Sequence, residues 1–181
     1  MIDSREASEA LSDIDEIVRR VRQSRTYDLA SLIMILWGVL VFAGNIATYL
    51  WPRHGEHVWI GVNVAGAVAT LAIIYFQTGT RSFDARMLVA YLLFFAFGYF
   101  CTKVLGNFTP RQLGTFWPIY FMLFYAIAGM WFGYAFVLIA VGISGLTLIG
   151  YYYIGWSAFL LWMAVVNGGG LILGGLWMRR I

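Results

Sequence analysis

Two imidazoles and a carboxylate lie close together in His54-Gly55-Glu56-His57, the one stretch of the 181-residue chain that groups metal-ligand side chains. His54, Glu56 and His57 are ligand types for zinc or copper, and with water or a second subunit they would make an external metal-sensing turn. The turn contains a glycine, does not present ligands at i, i+4 on a helix, and has no fourth ligand nearby. It reads first as a solvated loop, and no metal is assigned to the chain. A second set is neutral. Asn45, Asn63 and Asn167, with Thr48, Thr70, Ser144 and Thr147, fall inside long apolar runs. Amides and hydroxyls there can line a path for a neutral or weakly charged solute. More commonly they bond one helix to the next, each worth about 0.6 kcal/mol. Helix bonding is the reading preferred here.

Catalysis finds no footing in the sequence. No Ser, His and Asp can converge, no carboxylate pair sits in an apolar run, and no Gly-rich loop meets a phosphate-binding lysine, so no catalytic residue is named. No Asp, Glu, His, Lys or Arg falls in the middle of a span, and a proton relay needs such groups. Aromatic residues make up 18% of the chain, and their flat faces suit a quinone, a pigment or a lipid tail. Without a mid-span His or Met pair for haem, ordinary packing is the simpler reading, and no cofactor is expected. Glycines mark where helices can approach: Gly129-x-x-x-Gly133 and Gly170-x-x-x-Gly174 permit close contact. Gly168-Gly169-Gly170 beside Asn167 has the composition of a broken helix, a feature of midplane sites. Cys101, the single cysteine, excludes an internal disulfide framework.

These residues need a membrane to sit in. The chain is 61% hydrophobic and 12% charged, against about 25% charged for a soluble domain. Seven of its nine acidic residues precede Leu29, and Gln112 to Met178 passes without a charge. A bilayer core about 30 Å thick takes roughly 20 apolar residues per helix. The expected fold is therefore all-α: a polytopic membrane protein of about six transmembrane helices, preceded by a cytoplasmic amphipathic helix. The leader is 1–26 and the transmembrane domain 27–181, with spans near 29–50, 58–76, 87–105, 112–132, 134–153 and 156–178. Trp51-Pro52 closes the first span, and Thr109-Pro110 is an N-cap followed by proline at the first helical position. Tyr151-Tyr152-Tyr153 and Trp156 form an aromatic belt.

Orientation follows from basic residues. With the N-terminus inside, the cytoplasmic segments hold Arg5, Arg19, Arg20, Arg22, Arg25, Arg81, Arg86, Arg179 and Arg180, and the outer ones only Arg53, Lys103 and Arg111. Nine against three puts both termini in the cytoplasm. A net charge of +3 distributed in this way is no nucleic-acid patch.

In the leader, Ala7, Ala10, Ile14, Ile17 and Val21 recur at spacings of three and four, joined by Leu11 and Val18: one apolar stripe on a helix. Asp3 and Glu6 suit a capping box, and acids lead while arginines trail, as the helix dipole prefers. A helix lying in the headgroups usually carries Trp, Phe or Leu on its apolar face. This stripe is smaller, which suits self-association or another membrane protein through residues 4–24, with the arginines also within reach of anionic membrane lipids.

The leader from Ala10-Leu11-Ser12-Asp13-Ile14 to Arg22, Ile35-Leu36-Trp37-Gly38-Val39-Leu40, Leu161-Trp162-Met163-Ala164, Gly168-Gly169-Gly170 and Arg179-Arg180 together resemble a loose group of uncharacterised bacterial membrane proteins with an amphipathic leader and about six spans. The resemblance implies a bacterial inner membrane and carries no activity. The function expected is non-enzymatic: assembly, as a homo-oligomer or as an accessory subunit of a membrane complex. The alternative is a small channel or facilitator for a neutral or weakly charged solute, and the third is external metal sensing.

Overall fold

The computed structural model describes residues 4–78 and 85–180, with side chains described over 27–77 and 89–180. Every regular element among the described residues is helical. The order is α1 (Ser4–Leu50), a 3-10 turn (Pro52–His54), α2 (Gly55–Thr78), α3 (Ala85–Val104), α4 (Pro110–Phe132), α5 (Tyr134–Tyr153), α6 (Trp156–Met163), a π-helical turn (Ala164–Gly169) and α7 (Gly170–Met178). Five stretches are long and apolar enough to cross a membrane: Tyr27–Leu50, Pro52–Gln77, Pro110–Phe132, Tyr134–Tyr153 and Trp156–Met178. The chain is a multi-pass helical protein.

The third expected span lies on α3, whose 20 residues, Ala85–Val104, rise about 30 Å at 1.5 Å per residue, the thickness of the hydrocarbon core. Lys103 at its end can reach the headgroups along its own methylenes. The leader and first span are also one element. α1 runs 47 residues without a break, because 22–30 holds neither proline nor glycine and nothing there ends a helix.

The sixth span lies at the centre. Half of an 18-residue window of Trp156–Met178 is buried, against 6% of the corresponding window of Pro52–Gln77. α1 packs along one side of this span and α5 along the other; α4 lies on α5, α2 on α1, and α3 on α4. The core gathers Met34, Met122, Phe136, Ile139, Ile143, Val166, Leu171 and Met178. Close approach replaces hydrophobic drive, because lipid is as apolar as the helix faces. A Cβ on Gly66 would stand 2.5 Å from the Trp37 ring, and the Trp37 indole N–H donates to Thr70 Oγ1 at 3.0 Å, so α2 is seated by one aromatic side chain. α3 is held to α4 by rings. Phe94 stacks on Tyr120 with centroids 4.1 Å apart, Phe95 stacks on Trp117 at 5.2 Å, and the Tyr120 hydroxyl donates to the Phe94 carbonyl at 2.8 Å.

The α4–α5 connection is a single glycine. Gly133 has φ 136° and ψ 155°, a conformation essentially reserved for glycine. Gly133 therefore makes the turn between the helices. Gly129 is a contact: a Cβ there would meet Val137 at 2.5 Å and its amide nitrogen at 2.9 Å.

Candidate functional site

The polar residues inside the apolar spans separate into two kinds. Asn45 and Asn63 donate to the carbonyls of Val41 and Trp59, four residues back on their own helices, at 2.9 and 2.7 Å. Thr48 does the same to Gly44 at 2.8 Å. These groups satisfy themselves within α1 and α2, so the expected cross-helix bond is absent from both asparagine amides. Asn167 differs. It is 3% exposed in the π turn, and its amide reaches Thr147 Oγ1 on α5 at 3.4 Å and Met163 Sδ at 3.5 Å. Both distances exceed those of strong bonds. Of the three asparagines, only Asn167 bonds across helices.

Around it the backbone is crowded. A Cβ on Gly168 would stand 2.5 Å from Phe42 Cβ and 2.7 Å from its Cα and nitrogen, and a Cβ on Gly38 would meet the Gly168 carbonyl at 2.8 Å. Further along, Gly175 lies 2.9 Å from the Ser31 carbonyl and 2.8 Å from Ile35, again measured from an added Cβ. α1 and the sixth span thus run antiparallel, backbone against backbone. Gly170 faces Ile143 at 3.0 Å and Gly174 faces Ile139 at 2.9 Å, so both expected glycines pack inside the monomer against α5. Beside this seam Ser31 Oγ is fully buried without a hydrogen-bond partner, at a cost of about 1–3 kcal/mol.

The buried polar side chains among the described residues are Ser31, Asn45, Thr102, Thr115, Thr147 and Asn167, all neutral. They can donate and accept hydrogen bonds. None of them carries a charge near neutral pH. His54 closes the 3-10 turn, Glu56 and His57 open α2, and all three are exposed. Among the described residues no three His, Cys, Asp or Glu side chains are grouped to hold a metal.

One site escapes sequence reading. Arg111, in the first turn of α4, sends one guanidinium nitrogen to the carbonyls of Gly150, Tyr151 and Ile154 at the end of α5. The guanidinium also faces the Tyr151 and Phe159 rings, 5.5 and 5.1 Å from their centroids. The α5 terminus has orphan carbonyls and a partial negative charge, and an arginine answers both. Thr109 begins the same turn with a full capping box to Gln112, which fixes where Arg111 projects. In sequence Arg111 shows only as one of three outer cations; the partners 39–43 residues away come from the fold. Comparison of the chain with protein-family models, with curated proteins and with solved structures finds no match.

Proposed function

We propose that the chain is a non-enzymatic multi-pass protein of a bacterial inner membrane that works by assembly, as a homo-oligomer or an accessory subunit, through residues 4–24. The supporting observation is the unbroken α1. With Tyr27–Leu50 as its spanning part, the preceding turns continue the same helix for about 35 Å of contour. The stripe Ala7, Ala10, Ile14, Ile17 and Val21 is thereby carried on a helical extension of a packed span, where a partner helix can meet it. Removing residues 1–24 is expected to leave the spans inserted and to lower the native mass measured in mild detergent. A truncated protein that keeps the parent's number of copies and partners contradicts the proposal.

The rival reading, a facilitator for a neutral solute, draws on Asn167 and Thr147 beside the π turn. It predicts solute flux in proteoliposomes, which an assembly protein lacks. Both termini are placed in the cytoplasm by the arginine distribution. In a Cys101→Ser background, an impermeant thiol reagent on intact cells should label Glu56→Cys and leave Ser8→Cys and Ser82→Cys untouched. Labelling at position 8 reverses the orientation.

A further inference from the structure

We infer that the wide turn in the sixth span is a movable register defect, and that its shift toward Gly175 turns Gly169–Gly175 by one residue against α1 and α5. The π turn Ala164–Gly169 closes i→i+5 bonds and so holds one residue more than α-helical geometry would. The extra residue is stored, flanked by regular helix on both sides. Should the turn move toward the C-terminus, each residue it passes enters the place of the residue after it. That is a rotation of about 100° and a translation of about 1.5 Å.

The sequence on this stretch fits such a step. Glycines come in pairs, Gly169-Gly170 and Gly174-Gly175. The place of Gly170, crowded by Ile143, receives Gly169. The place of Gly175, where the Ser31 carbonyl excludes any Cβ, receives Gly174. The glycine contact of this segment with the α1 backbone is thus preserved. The place of Gly174 receives Leu173, and the atom it meets first is Ile139 Cδ1, the far end of a side chain that can turn. The buried place of Leu171 receives Gly170, which releases a leucine's volume. Gly168 lies before the passed segment and stays on Phe42.

The observed register is weakly fastened by polar groups. Asn167 makes two long bonds, and Ser31 Oγ makes none. A slip therefore breaks no strong hydrogen bond at this seam, and it drives Leu173 against α5 while α1 keeps its seat. The device transmits a change in the sixth span to α5.

The test is solid-state NMR of the full chain, carbon-13 labelled at glycine, in phosphatidylcholine–phosphatidylglycerol bilayers. Gly170 and Gly174 are expected to give two exchanging sets of resonances, and Gly66, seated on Trp37 away from this span, a single set. Deleting Val165, an exposed residue of the π turn, removes the stored residue and should collapse the two sets into one. A single exchange-free set for Gly170 and Gly174 in the parent overturns the inference, as does doubling at Gly66 or doubling that survives the deletion. If the deletion variant does not fold, the parent spectra alone decide.

Discussion

Gly168→Leu is expected to be the most damaging single substitution in the described spans, lowering stability by about 3 kcal/mol or more and releasing α1 from the sixth span. The first carbon of any side chain at that position lands 2.5–2.7 Å from Phe42 Cβ, Cα and nitrogen. Two of those atoms are backbone, so relief requires moving the helix itself. Overpacking usually costs about 1–3 kcal/mol, and the upper end applies where the obstruction cannot rotate away. Gly170→Leu and Gly174→Leu should cost less, about 1–3 kcal/mol, because they meet side-chain rather than backbone atoms, those of Ile143 and Ile139. Gly142→Ala is the control. Nothing lies within 4 Å of an added Cβ there, and an alanine in mid-helix gains roughly 0.5–1 kcal/mol. Unfolding curves in detergent for the four variants should give the order 168, then 170 and 174, then the parent, with 142 at or above it. A Gly168 variant that melts with the parent would mean that α1 and the sixth span are not in backbone contact.

Arg111→Ala is the second large effect, expected at about 2 kcal/mol. Its guanidinium holds three carbonyls at the end of α5, and hydrogen bonds to a charged group are worth about 1.5–3 kcal/mol. Two aromatic contacts go with it. Arg111→Lys should recover only part of the loss, since an ammonium is a point charge without the planar fork that stacks and branches. Arg53→Ala, on an exposed residue of the 3-10 turn, should leave the melting curve unchanged. Equal melting for the two alanine variants would show that the clamp contributes nothing.

The two sites differ in how far they could be read from the chain. The spans were legible because a bilayer demands length and apolarity, and both are properties of a single segment. The α4 cap was legible for the same local reason: Thr109, Pro110 and Gln112 are neighbours in sequence. Asn167 beside three glycines has the composition of a broken helix, yet the helix continues there through a π turn. The rest depends on which segments meet. Arg111 finds its carbonyls on α5 only after the bundle forms. Asn45 and Asn63 have the composition of cross-helix glue, yet a carbonyl four residues back on the same helix is nearer than any neighbour. Gly129 and Gly133 share a spacing and serve different ends, since spacing does not record where a helix stops.

The bundle's outer layer also bears on the assembly reading. Among the described residues α2 rests mainly on α1, and α3 is held to α4 through aromatic rings. Each leaves a broad apolar surface that lipid covers adequately. The leader stripe is another matter: under the assembly proposal Ala, Ile and Val, with acids ahead and arginines behind, are better suited to a protein contact than to a membrane anchor. That contrast is why assembly is assigned to residues 4–24 rather than to the exposed spans.

Cross-linking in native membranes tests this assignment most directly. In a Cys101→Ser background, Ile14→Cys and Ile17→Cys lie on the stripe, and Ser12→Cys and Arg19→Cys lie off it. With a short thiol-to-thiol reagent for a second copy, or a thiol-to-amine reagent for a different partner, positions 14 and 17 should give a discrete larger species. Positions 12 and 19 should give far less. Cross-linking that is absent at all four positions, or equal on and off the stripe, would contradict assembly through the leader.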